Sequence, residues 1–329
     1  MRILFAGTPE PAVASLNALI NAGHHVVGVL TRTDAKIGRK RVLTPSPVAE
    51  RATELELPVI KADSFAGESG QAAIAEIQEL QADLGAVVAY GGLLPQTMLD
   101  MLPKGWVNLH FSLLPAYRGA APVQWAIINQ EPATGAAVFQ LEAGLDTGPV
   151  FATLSRALAP EETSGEVLAD LAVSGGRLLS ETLFDIAAGS AEATPQQGEA
   201  SWAPKITSRD VQIDAYQPAD AVLWLINGDS PAPGAWSTLD GDGTKAQRFK
   251  IGGAAPVSDP PDQGKAPGEF IIEPHRVLLV CQDGAIELTR VQPSGKKMLV
   301  ASDWAHGVDP SIGLHTSATH PTEFDVDKG

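Results

Sequence analysis

Three features of the sequence predict an α/β fold: a Rossmann-like, mostly parallel sheet followed by a smaller β-barrel. Through residue 188, short β-branched runs alternate with helix-length amphipathic stretches, the pattern that builds a parallel sheet with helices on its faces. At 189–207 an Ala-, Gly-, Ser-, Gln- and Pro-rich stretch without apolar period interrupts it, marking a linker or wrapping segment. Short strands separated by Gly, Pro and Asp follow, as in small barrels. A length of 329 residues agrees with about two domains of roughly 150 residues each. We expect them at 1–189 and 208–305, joined by a linker at 190–207, with an acidic tail at 306–329 too poor in apolar residues to fold alone.

In chain order, the runs ILFA (3–6), HVVGVLT (25–31), PVIKA (58–62), LGAVVAY (84–90) and GWVNLHF (105–111) read as strands. The near-continuous apolar character of 84–90 places that strand in the middle of the sheet, buried on both faces. Helices are expected between them at 11–20, 46–55, 71–80 and 95–102, several opening with Pro or Ser. Two more strands are expected at 136–141 and 150–158, then a long helix at 163–188. Leu168, Leu171, Leu178, Leu179 and Leu183 mark that helix's buried side, while Gly175 and Gly176 weaken its middle. The second part carries one helical piece at 218–226, then strands in FKIGG, GEFIIE, RVLLVC and AIELTRVQ.

Composition excludes several classes. Hydrophobic residues at 44% and charged residues at 19% belong to a globular chain rather than a disordered or fibrous one. No apolar run reaches the ~18 residues of a membrane helix, and MRILFAGTPEP lacks the layout of a signal peptide, so a cytoplasmic protein with no membrane partner is expected. Cys281 is the single cysteine, which removes intramolecular disulfides and multi-thiolate zinc sites. The net charge of −16 argues against non-specific nucleic-acid binding. Screening over about 8 Å nevertheless makes local charge decisive, and RTDAKIGRKR (32–41) sets Arg32, Lys36, Arg39, Lys40 and Arg41 against Asp34 alone. Such a segment is either a solvated loop or a nucleic-acid contact.

Candidate chemistry concentrates at strand ends. Gly7-Thr8-Pro9 has one glycine of a dinucleotide fingerprint and no P-loop, so the turn either packs a helix on the sheet or opens onto some other ligand. Asn108 and His110 lie on one side of a strand near its C-terminal end, where open α/β sheets place their sites. Asn can polarise a carbonyl oxygen, and His can exchange a proton at cellular pH; a satisfied structural pair would look the same. Beyond them, Leu113 and Leu114 in FSLLPAYRGAAPVQW (111–125) read either as a pocket wall or as a loop folded onto the core. Asp146 in LDTGP is positioned to approach His110 and set its charge and orientation. An aspartic protease would need a second Asp-Ser/Thr-Gly, which is absent, and no His or carboxylate spacing supports a catalytic metal.

Taken together, FAGTPEPAV (5–13), TPSPV (44–48), NLHFSLLPAYRGAAPVQWAI (108–127) and LDTGPV (145–150) closely resemble the methionyl-tRNA formyltransferases, a branch of the formyltransferases that use 10-formyltetrahydrofolate. The resemblance covers nearly all of 1–207 and continues through Ala203 to Asp214 into the second domain. It implies catalytic roles for Asn108, His110 and Asp146 and a folate-binding loop of Ser112, Leu113, Leu114 and Pro115. It also implies 10-formyltetrahydrofolate as formyl donor without a metal, an OB-like barrel, and a monomer acting on initiator methionyl-tRNA. Asn108 and His110 would stabilise the oxyanion, with Asp146 favouring a cationic His110. Arg39, Lys40 and Arg41 occupy the insert where such enzymes contact the acceptor stem. A sugar-nucleotide N-formyltransferase would share the trio but need no basic insert. Two departures stand out: Ala215 replaces a common Trp, and from Ser208 onward ten basic residues face seventeen acidic ones.

Overall fold

The computed structural model describes residues 1–38, 40–240, 247–261, 264–308 and 312–315. They divide into two compact units, one of residues 1–123, 133–157 and 167–204, the other of 124–132, 158–166 and 205 onward.

The first unit begins with β1 (Arg2–Gly7), buried from its second residue on, and α1 (Glu10–Asn21), whose Pro11 suits a first helical turn that needs no amide donor. A Cβ on Gly7 would lie 2.8 Å from the Ala12 Cβ and 3.0 Å from the Val88 carbonyl, so this glycine serves the packing of helix on sheet. Next come β2 (His25–Thr31), the hairpin β3 (Ala35–Ile37) and β4 (Val42–Thr44), and α2 (Pro47–Glu54). Ser46 caps α2, its Oγ accepting the Ala49 amide at 3.0 Å while sharing a 2.7 Å hydrogen bond with the Thr31 hydroxyl. The chain continues through β5 (Val59–Lys61), α3 (Gly67–Glu79), β6 (Leu84–Val88), the single-turn α4 (Gln96–Leu99), β7 (Trp106–His110), β8 (Arg118–Gly119) and α5 (Pro122–Ile128). β9 (Ala133–Gln140), β10 (Val150–Ala157), α6 (Ser164–Ala188) and β11 (Trp202–Ala203) follow.

The main sheet runs β10-β9-β7-β6-β1-β2-β5, parallel from β7 to β5 and antiparallel at β9 and β10. The five residues of β6 are all buried, as expected of a central strand. Parallel pairing brings the C-terminal ends of β1, β6 and β7 to one edge, where the candidate site lies. Gly175 and Gly176 do not interrupt α6. A Cβ on Gly175 would lie 3.2 Å from the Leu109 methyls, and one on Gly176 3.1 Å from the Ser15 Cα. Their small size lets the long helix approach β7 and α1 closely, which outweighs their low helix propensity. Residues 190–204 group with this unit: Thr194 exchanges two backbone hydrogen bonds with Val150, and β11 pairs with β8.

The second unit contains α7 (Ala219–Gly228), β12 (Trp236–Asp240), β13 (Gln247–Pro256), β14 (Phe270–Ile272), β15 (Val277–Val280), β16 (Ala285–Pro293), β17 (Leu299–Val300), α8 (Ala301–Ala305) and β18 (Gly313–His315). The strands order as β14-β15-β16-β13-β12-β18, with β17 beside β16. A Glu269–Gly313 bridge and the Leu314 amide on the Gly268 carbonyl, 2.7 Å, join the two edges into a nearly closed barrel. Within the stretch expected not to fold alone, residues 313–315 pair on both sides with the barrel and bury Leu314. Backbone pairing, which composition does not report, supplies the order. The rest of the tail, 309–311 and 316–329, lies outside the described residues. Phe249, Ile251, Phe270, Leu279 and Ile286 centre the barrel core, where Ala215 is fully buried.

Asp229, at the end of α7, is fully buried, and neither carboxylate oxygen has a hydrogen-bond partner among the described residues. Burial pushes its carboxyl up to about 7 against the opposing pull of the Gly234 amide and the Lys250 ammonium. A pKa raised on folding means stability that is complete below about 4 and is lost as pH rises through about 7, by up to about 1.4 kcal/mol per pH unit. Asp229→Asn is therefore expected to flatten this window and to unfold at higher urea than wild type at pH 8. An identical pH dependence in both proteins would remove the assignment.

Candidate functional site

β7 carries Asn108 and His110 on the same side, bridged in register to Phe139 and Ala137 of β9. Asn108 is half-buried, and its Oδ1 is enclosed without a hydrogen-bond partner among the described residues. The amide is thus uncommitted to the fold, and a turn about its last torsion exchanges acceptor for donor. His110 is buried, and its Nε2 lies 2.9 Å from the Tyr117 carbonyl. A carbonyl only accepts, so Nε2 carries the hydrogen, and neutral His110 presents a lone pair on Nδ1.

Asp146 faces that nitrogen, its Oδ2 3.8 Å from His110 Nδ1. The encounter is not local. The Asp146 loop leaves β9 beside Trp106, where the Leu141 amide donates to the Trp106 carbonyl at 2.8 Å, and then folds back toward the far end of β7. Asp146 is itself buried, has φ +53°, and accepts the Gly119 amide on Oδ2 at 2.8 Å. Burial pulls His110 below the ordinary histidine value, while the Asp146 charge and the Tyr117 carbonyl oppose it. Asp146 thus favours the cationic form, as expected of a carboxylate facing the ring, while desolvation acts more strongly in the opposite direction.

The Ser112–Pro115 stretch divides into different roles. Ser112 is fully buried and its hydroxyl donates to the Ala116 carbonyl at 2.6 Å, which braces the loop. The hydroxyl is thereby engaged within its own loop, four residues along the chain. Leu113 lies over Gly135 of β9, and Leu113, Leu114 and Pro115 are half-buried. The loop after β6, at the same sheet edge, exposes Leu93 to 85%; sequence reasoning misses it because YGGLLP gives no polar signal. It misses Gly119, the Tyr117 carbonyl and Gln196 as well, the first two because a backbone group carries no residue signature.

The basic segment splits in two. Arg32 pairs with Asp63 at 2.5 Å and Asp34 with Lys61 at 2.6 Å, which neutralises its start. Lys36, Lys40 and Arg41 sit on or at the tip of the β3–β4 hairpin with no ion pair among the described residues, beside exposed Ile37, Val42 and Leu43. Arg39 lies outside the described residues. In the barrel unit, Arg248 stacks 4.1 Å over Trp236, and Lys250 donates to the Pro233 carbonyl at 2.6 Å. Lys296 and Lys297 stay exposed, with no ion pair among the described residues. No group of His, Cys, Asp and Glu side chains suited to a metal occurs among the described residues, and no described helix is long and apolar enough to cross a membrane.

Residues 1–183 match the formyl transferase family and residues 205–309 match the formyl transferase C-terminal domain. The chain belongs to the formyl transferase family. Among curated formyl transferases it is 52% identical over 307 residues to the methionyl-tRNA formyltransferase of Arthrobacter sp. (strain FB24), covering 93% of this chain and 97% of that one. Solved structures show the same fold at low identity. HypX from Aquifex aeolicus in complex with tetrahydrofolic acid aligns with TM-score 0.64 and 18% identity over 93% of this chain, which spans 47% of the HypX length. WlaRD, a sugar 3N-formyl transferase, aligns with TM-score 0.63 and 15% identity, covering 90% of this chain and 99% of that one.

Proposed function

We propose that this formyl transferase moves the formyl group of 10-formyltetrahydrofolate to the α-amino group of methionine carried by initiator tRNA, giving N-formylmethionyl-tRNA. The observation that carries the chemistry is the uncommitted Asn108 amide one alternation away from His110, which faces Asp146 at 3.8 Å. The 52% identity to a methionyl-tRNA formyltransferase and the cations of the β3–β4 hairpin, which have no ion pair among the described residues, support the acceptor. Because that acceptor is a charged tRNA, the proposed place of action is the cytoplasm.

The folate co-substrate supplies an activated formyl carbon when bound, and the apolar Leu93, Leu113, Leu114 and Pro115 at the site edge suit its flat ring. Asn108 donates to the formyl oxygen as negative charge develops there, a contact typically worth about 2.7–4 kcal/mol of barrier. The acceptor amine, with a reference pKa near 7.7–8.0, is partly neutral at cellular pH and attacks in that form. His110 takes the proton of the attacking amine on Nδ1, since Nε2 already donates to Tyr117. Asp146 then stabilises the imidazolium, and His110 can return the proton to the departing donor nitrogen. General base help of this kind is worth roughly 10² to 10⁴ in rate.

Formyl incorporation from 10-formyltetrahydrofolate into charged initiator methionyl-tRNA, charged elongator methionyl-tRNA and an amino-sugar nucleotide tests the reading. Incorporation into the initiator species alone is expected. Incorporation only into the sugar nucleotide would keep the chemistry and replace the substrate, whereas none into any acceptor would overturn both. In the same assay, Lys40→Ala with Arg41→Ala is expected to raise KM for tRNA several-fold. Its dependence on salt should weaken by about one log unit per log unit for each phosphate that is no longer neutralised. Saturating turnover stays as in wild type, and an unchanged KM would make the hairpin a solvated surface.

A further inference from the structure

The segment 190–204 carries no motif, yet it holds the site together from outside. Gln196 is half-buried between exposed neighbours. Its side-chain amide donates to two carbonyls of the Asp146 turn, those of Asp146 at 2.7 Å and Gly148 at 2.9 Å. Its Oε1 accepts from Arg118, at 2.7 Å from Nη2 and 3.3 Å from Nε. Two acceptors on one end and a guanidinium on the other fix the amide's orientation without ambiguity. The residue after Arg118 is Gly119, whose amide holds the Asp146 carboxylate at 2.8 Å. Asp146 is therefore gripped twice, through its carboxylate by the Gly119 backbone and through its carbonyl by Gln196, and Arg118-Gly119 anchors both grips.

The grip has a clear task. Asp146 holds φ +53°, a left-handed conformation that non-glycine residues seldom adopt without support from their surroundings. Gln196 is itself anchored on both sides, by the Thr194–Val150 backbone pair and by the Ser201 carbonyl that accepts the Arg118 amide at 2.8 Å.

We propose that Gln196, braced by Arg118, is a positioning residue that keeps the Asp146 carboxylate opposite His110 Nδ1. It touches no reacting atom, and the proposal rests on the roles assigned above to Asp146 and His110. Displacement of catalytic groups by about 1 Å costs on the order of 100-fold in rate. Gln196→Ala is accordingly expected to lower kcat 10- to 100-fold with KM for tRNA and folate within about two-fold. The near-isosteric Gln196→Glu keeps the Arg118 contact but sets a carboxylate oxygen against two carbonyls, so it loses at least as much.

Two readouts separate positioning from mere folding and from failure of the formyl-transfer reading. Thermal unfolding should stay within a few degrees of wild type for both variants. Titration of the His110 ring by NMR on the full chain, which needs no turnover, should show its pKa moving further down in Gln196→Ala as the Asp146 charge drifts away. A wild-type protein that formylates no acceptor overturns the functional reading, and the His110 titration then decides the strut by itself. An unchanged His110 titration with unchanged kcat overturns the strut. A kcat loss that merely tracks a lowered melting temperature, with the His110 titration unmoved, overturns it too.

Discussion

Asn108→Ala lowers kcat about 10²- to 10³-fold while leaving KM for tRNA and folate within a few-fold, as loss of one preorganised oxyanion donor does elsewhere. The expectation rests on what the amide does not do in the folded protein. Its Oδ1 is enclosed without a partner among the described residues, so the fold has little use for this polar group, and truncation at a half-buried strand position disturbs the packing only modestly. The loss should therefore fall on the transition state, where charge appears on the formyl oxygen, and not on ground-state binding. Steady-state kinetics of the purified variant, with its melting temperature alongside, check this. Turnover near that of wild type would take Asn108 out of the chemistry.

His110→Ala and Asp146→Asn carry the other large effect. With the base removed, kcat is expected to fall 10²- to 10⁴-fold. Asp146→Asn keeps an oxygen for the Gly119 amide but deletes the charge facing Nδ1, so the imidazolium formed during proton transfer loses its stabilisation. Titration of the ring distinguishes the proposed base from a cationic donor. Burial lowers the His110 pKa, so an NMR titration of the full chain is expected to place it below the ordinary value of about 6.5. Asp146→Asn removes a contribution that raises the pKa, so the value moves lower still. In kcat/KM the neutral acceptor amine adds its own acid limb near 7.7–8.0, which His110→Ala should retain. A ring pKa above 6.5 would assign His110 the cationic role instead.

Much of this site is local in the chain. Period-two alternation in β7 puts Asn108 and His110 on one side whatever surrounds them, and the polarity of a parallel sheet sends that end to the ligand edge. The strand HVVGVLT and the buried run at 84–88 are legible for the same reason, since apolar patterning at period two or without polar breaks leaves few alternatives. Less is legible where an outcome depends on a partner far along the chain. Gly175 and Gly176 read as helix weakeners because propensity is a property of one residue, whereas the closeness of α6 to Leu109 and Ser15 is a property of two elements. The Ser112 hydroxyl is visible in the sequence, while its acceptor, the Ala116 carbonyl, is not.

By itself, the sequence determined the alternation of strands and helices, the Asn108–His110 side of β7, the basic segment at 32–41 and the family. Tertiary structure alone decided four matters: that the Asp146 loop folds back to within 3.8 Å of His110, that burial lowers the pKa of this histidine, that Gln196 grips the Asp146 turn, and that residues 313–315 close the barrel. Spacing along a chain encodes which side of a strand or helix a residue occupies, while desolvation and long-range hydrogen bonding depend on groups that only the fold brings together.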